Sequence, residues 1–133
     1  MQSYFENDFT QYMLVDKIVH IIYKKGVIID LQASKRIVRD RLMFQEERAY
    51  PILCDIRQLR RVDKAARDYL ALEGSLLIKA LAFIIEPPVT DVMTRFYLMT
   101  NHPDIPTASF REISKALAYL GKFLGFVFAT AIF

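Results

Sequence analysis

Short runs rich in Val, Ile, Leu and Phe alternate along this chain with segments whose apolar residues recur at helical spacing, and that alternation limits the possible folds more than any other feature. Phe9 to Val15 reads as a strand, Asp16-Lys17 as a polar break and Ile18 to Tyr23 as a second strand. The pair predicts a hairpin, although its turn lacks the favoured Gly. After Val27-Ile28-Ile29, Asp30 stands where a carboxylate can accept a bond from a free N–H at a helix start. Leu31, Ser34, Val38 and Leu42, with Ile37 alongside, then form one stripe of a helix running to about Arg48. Lys35, Arg36, Arg39 and Asp40 fall on the opposite face, and Arg36 is spaced to pair with Asp40. Pro51-Ile52-Leu53-Cys54 reads as a buried strand. Asp63 is placed to cap a second helix reaching about Glu73, with Ala66, Tyr69 and Leu70 inward and Gly74 just past its end. Ile78 to Ile85 is a further strand, and Pro88 opens a third helix carrying Val89, Val92, Met93 and Phe96 to about Asn101. Ile105 to Ala108 is a short strand. Ser109 and Glu112 have capping-box spacing ahead of a fourth helix bearing Phe110, Ile113, Leu117 and Leu120. Parallel strands need helical crossovers, so the expected class is α/β. The expected sheet is mixed, with about five strands (an antiparallel hairpin, then parallel strands) and four helices.

A chain of 133 residues is long enough for one domain. The expected organisation is an extension at 1–8, a domain at 9–124 and an apolar tail at 125–133. Apolar residues make up 53% and charged residues 25%, which excludes a disordered chain. A single cysteine, Cys54, excludes a disulfide framework and any multi-cysteine metal centre, and fits a reducing compartment. The first residues lack the basic and apolar regions of a secretory signal. The apolar stretch from Phe123 to Phe133 is far shorter than the ~20 residues of a membrane helix. These features predict a cytoplasmic protein without a membrane span.

The net charge is only +3, but the stretch from Lys35 to Arg67 holds ten basic side chains against five acidic ones. Aromatic residues are not interleaved with these cations, which disfavours nucleic acid as a partner. Arg57, Arg60, Arg61, Lys64 and Arg67 surround the expected start of the second helix, together with Asp63. Free N–H groups and a partial positive charge at a helix start favour an anion. The loop also follows the carboxyl end of a strand, where ligands of open α/β sheets bind. An acidic protein partner or a small anionic ligand is the functional reading. The plainer reading is a solvated loop in which Asp63 and Asp68 neutralise some of the cations. No catalytic constellation, metal-ligand cluster or cofactor motif occurs, and enzyme function is not expected. His20 and His102 are far apart in sequence, and Cys54 reads as an inert core residue. The uncharged tail needs cover, from its own domain or from a second subunit in a homodimer.

The segment Pro51-Ile52-Leu53-Cys54-Asp55-Ile56-Arg57-Gln58-Leu59-Arg60-Arg61-Val62-Asp63-Lys64-Ala65-Ala66 resembles the STAS domains, the fold of bacterial anti-sigma-factor antagonists, and in particular the small SpoIIAA-like or STAS/SEC14-like bacterial proteins. In those antagonists a buried strand ends in an Asp, and a second Asp eight residues on begins a helix with an Asp-Ser-Ser-Gly signature; Asp55 and Asp63 keep that spacing. Val27-Ile28-Ile29-Asp30-Leu31, the run from Lys64 to Tyr69 and the start at Pro87 to Val89 extend the resemblance. The signature itself departs. The family's phosphorylated Ser falls on Ala65, the preceding Ser on Lys64 and the Gly on Ala66. Alanine has no hydroxyl to carry a phosphoryl group. The resemblance therefore implies a non-catalytic binding or regulatory module without the kinase-operated switch, making protein contacts through the 55–67 loop and helix start. The alternative it implies is a SEC14-like carrier of a lipid, nucleotide or other anion.

Overall fold

The two φ angles of the first tight turn explain how a hairpin forms there without glycine. Asp16 and Lys17 both adopt left-handed backbone, at φ 50° and 65°, as a two-residue turn between right-twisted strands requires. The turn joins β2 (Thr10–Val15) to β3 (Ile18–Tyr23) in antiparallel register, Val15 opposite Ile18. In this computed structural model residues 2–88 and 105–124 are described. The expected third helix, from Pro88 to Asn101, falls almost wholly outside them, as does the tail at 125–133.

Ahead of the hairpin, Tyr4–Glu6 forms an edge strand, β1, antiparallel to β2, so the segment set apart in the sequence as an extension adds a strand. Asn7 organises the connection. Its Oδ1 accepts from the N–H groups of Phe9 and Thr10, at 2.8 Å each, and its Nδ2 donates to Asp40 Oδ2 at 2.8 Å. Next come β4 (Ile28–Ile29), α1 (Leu31–Gln45), β5 (Tyr50–Asp55), β6 (Arg61–Val62), α2 (Lys64–Leu72), β7 (Ile78–Ile84), β8 (Thr107–Phe110) and α3 (Ile113–Gly121). The main sheet runs β1-β2-β3-β5-β7-β8, antiparallel through β3 and parallel from β3 to β8. It has six strands rather than about five, and the described residues hold three α-helices rather than four. Pro51 sits within central strand β5, where the register with β7 shifts between Tyr50 and Pro51. Such an irregularity is the place where a sheet tolerates a residue without an N–H.

Side chains alternate between the two faces of the sheet. One face carries Val19, Ile21, Ile52, Cys54 and Leu81 and packs against Ile37 and Phe44 of α1 and Ala66 of α2. The other carries Leu53, Ala80, Ala82 and Ile84 under Ala116 and Leu120 of α3. Alanines at the centre of β7 give α3 a close approach. β4 and β6 pair with each other as a separate parallel ribbon, Ile28 opposite Arg61 and Ile29 opposite Val62. Asp63 N–H donates to Ile29 O at 2.9 Å. The ribbon thus sets the N-termini of α1 and α2 side by side.

Asp30 caps α1 as its position predicts, accepting from Ala33 N–H at 2.8 Å. The helix ends at Gln45, short of Arg48, because Glu46 turns left-handed at φ 50°. Gly74 does not occupy a left-handed position after α2; it lies in a single 3-10 turn, Glu73–Ser75, that prolongs the helix. Ser109 and Phe110 belong to β8, and Glu112 holds the N-cap position of α3 without a side-chain bond, so no capping box forms.

Candidate functional site

The loop after β5 is built on Asp55. Its carboxylate receives Arg57 twice, Nε to Oδ1 at 3.0 Å and Nη2 to Oδ2 at 2.7 Å, and Oδ1 also accepts the Arg57 N–H at 3.1 Å. This two-point pair raises the Arg57 pKa and fixes the turn leaving the strand. Arg61 Nε lies 3.5 Å from Asp63 Oδ1, and Lys64 Nζ lies 2.8 Å from Asp68 Oδ2 one helical turn on. Arg67 Nη1 donates to Val62 O at 3.0 Å. Arg60 is exposed, and its N–H donates to Val27 O at 3.0 Å. Asp63 holds the N-cap position of α2, but its carboxylate makes no cap bond and turns toward Arg61 instead. Ala65, where the resembling family carries its phosphorylated Ser, is exposed in the first turn of α2, and Ala66 is fully buried. Asp63, Lys64, Ala65 and Arg67 thus stand at the start of α2, with Arg60 and Arg61 just ahead of it, whereas Arg57 is held by Asp55 at the end of β5. Most of their charge is neutralised locally.

A second feature was not visible in the sequence. A cavity of about 300 Å³ lies between the α1–α2 layer and the sheet. Its floor is Ile21 and Tyr23 of β3, Ile52 and Cys54 of β5 and Ile78, Leu81 and Phe83 of β7. Its walls are Ile37, Val38 and Arg41 of α1, Arg67 and Leu70 of α2, and Ile56, Leu59, Val62 and Gly74. Two arginines interrupt an otherwise apolar lining. Arg41 keeps 2% of its surface exposed. Its Nη1 donates to Gln45 Oε1, and its Nη2 donates to Gly74 O and Leu76 O at 3.0 Å each. Gln45 Nε2 in turn donates to Leu77 O at 3.0 Å, next to the left-handed Leu77 at φ 59°. The pair clasps the end of α1 to the turn that follows α2. Burial lowers the Arg41 pKa to about 10, so the side chain remains cationic at neutral pH. The signal that could have found it is spacing: Arg41 and Gln45 fall on the same helical stripe as Ser34 and Val38, all of them buried.

The histidine and cysteine are placed apart from both features or made inert within them. His20 is half-buried on the α3 side of the sheet, and desolvation lowers its pKa. Cys54 lies in the cavity floor, and burial pushes its thiol far above the ordinary value. His102 lies outside the described residues. Among the described residues no helix is long and apolar enough to cross a membrane.

No curated protein matches the chain. A solved structure of an uncharacterised protein of the DUF3478 family with a SpoIIAA-like fold, from Shewanella loihica PV-4, superposes with a TM-score of 0.58 at 13% identity, covering 88% of this chain and 90% of that one. At that identity the likeness is one of fold, and at that level it supports the expected SpoIIAA-like architecture. A family model matches residues 12–124, through both helices that wall the cavity and on to the end of the described residues. The chain belongs to the family of that model, the domain of unknown function DUF7793.

Proposed function

We propose that this chain is a non-catalytic binding module that holds a small, largely apolar ligand between its α1–α2 layer and its sheet. The cavity carries this reading. About 300 Å³ of space with an almost wholly apolar lining lies at the lower end of ligand-pocket sizes, roughly 300–1,000 Å³. Well-packed interiors hold few voids larger than a water molecule. The state of Cys54 supports a non-catalytic role, since burial suppresses the thiolate that a nucleophile would need. The test is a titration of the purified full chain with the uncharged solvatochromic dye Nile red. Saturable, blue-shifted emission is expected, and it is expected to disappear in Val38→Phe. A dye that stays dark, or one that binds equally well to the variant, overturns the reading.

Exposed Arg60 and Arg61 beside the first turn of α2 favour a second reading, contact with an acidic protein surface. Retention of the chain on immobilised poly-glutamate at physiological salt is then expected to vanish in Arg60→Glu/Arg61→Glu; unchanged retention removes the loop from that role. Self-association through 125–133 belongs to the same proposal. Sedimentation equilibrium is expected to give a dimer for the full chain and a monomer after truncation behind Lys122, and a dimer in both would exclude the tail.

A further inference from the structure

The cavity contains a cation that its surroundings do not balance. Arg41 is nearly inaccessible, and the acceptors that hold it are neutral: one side-chain amide and two backbone carbonyls. Those three bonds use three of the five N–H donors of a guanidinium. Its chain neighbour Asp40 is directed elsewhere, to Asn7 Nδ2 at 2.8 Å and to Arg36 and Arg39 at 3.7 and 3.4 Å. Among the described residues no carboxylate forms an ion pair with Arg41. Isolating a charge from water without a counter-charge is costly, and buried guanidinium groups are normally paired. A second guanidinium, that of Arg67, stands in the same wall, and the rest of the lining carries no formal charge.

Building on the ligand-binding reading above, we propose that the natural ligand is a single-chain amphiphile with an anionic head, a carboxylate whose oxygens face Arg41 and Arg67 while its hydrocarbon body lies over Ile52, Leu70 and Leu81. A planar guanidinium matches a carboxylate at two points, which selects this head over a neutral one. The limited volume selects one short chain over a two-chain membrane lipid. The ligand is taken up as a free molecule, and the cavity does not dock the protein on a bilayer.

The experiment is calorimetric titration of the full chain with decanoate, with decan-1-ol and with inorganic phosphate. Decanoate is expected to bind at least about tenfold more tightly than decan-1-ol, a difference of about 1.4 kcal/mol, and phosphate is expected not to bind. Equal affinity for decanoate and decan-1-ol overturns the anionic head and leaves the apolar cavity standing. Failure of both to bind overturns the ligand-binding reading as well. Phosphate that binds as tightly as decanoate also overturns the amphiphile, since the hydrocarbon body would then contribute nothing. Arg41 also holds the fold together, so the informative variant is Arg67→Met. It is expected to bring decanoate down toward the affinity of decan-1-ol while decan-1-ol itself is unchanged. Loss of both in parallel, or of neither, argues against a charge-selective site.

Discussion

His20 and Arg41 are both basic residues removed from water, and desolvation lowers the pKa of each, but Arg41 starts high enough to remain cationic at neutral pH. The imidazole lies below its ordinary pKa of 6.5 because desolvation disfavours its charged form, and its buried Nε2 has no partner among the described residues. As pH falls below about 6.5 the unfolded chain takes up a proton that the folded chain resists. Stability present at neutral pH is therefore lost on acidification. Urea midpoints measured at about pH 7.5 and about pH 5.5 are expected to fall in the natural chain and to fall less in His20→Leu; equal falls would assign the acid sensitivity to other groups. Arg41 stays charged and is held by carbonyls. Arg41→Met leaves Gly74 O, Leu76 O and Gln45 Oε1 without the guanidinium donor, at a cost of about 3 kcal/mol. Equilibrium denaturation gives that figure directly, and a cost below about 1 kcal/mol would show that the clasp contributes little.

The hairpin turn tests local conformation against side-chain chemistry. Lys17 occupies left-handed backbone at φ 65° and carries a Cβ that glycine lacks. Lys17→Gly is expected to raise stability by up to about 1 kcal/mol, read as a higher urea midpoint with an unchanged slope. A loss would mean that the Lys17 side chain stabilises the turn. The same elements show what the sequence could reveal. β2, β3, β5 and β7 were legible because each is a run of apolar residues long enough to show a pattern, and α1 was legible from Asp30 and its stripe. β1, β4 and β6 are two or three residues long, too short for any periodicity, and exist through pairing with distant segments. At the loop site, Arg60, Arg61, Asp63, Lys64 and Arg67 lie at or just ahead of the helix start read from the sequence, and Arg57 stays with Asp55 at the end of β5. That Asp63 and Asp68 would pair with neighbouring cations was legible; that Asp55 would take Arg57, and that Asp63 would make no cap bond, was not. The cavity escaped altogether, because an unfilled volume depends on how helices sit on a sheet and leaves no mark on the order of residues.

Taken whole, the molecule carries a void that a well-packed domain of its size would not need. Val38 faces it from α1 and is itself buried. Val38→Phe adds volume where space exists, so it is expected to leave the unfolding free energy unchanged or higher while removing dye binding. Thermal denaturation checks the first part, and a loss of more than about 2 kcal/mol would indicate an overpacked wall in place of an open one. The ribbon of Ile28–Ile29 with Arg61–Val62 has a mechanical corollary. Because the first turns of α1 and α2 are yoked there, α2 cannot lift from the sheet without tugging its neighbour and the strip bearing Arg60 and Arg61. Any guest bulky enough to prop the helices apart would thereby rearrange the outer rim, so that interior occupancy and the surface shown to other molecules move as one linkage.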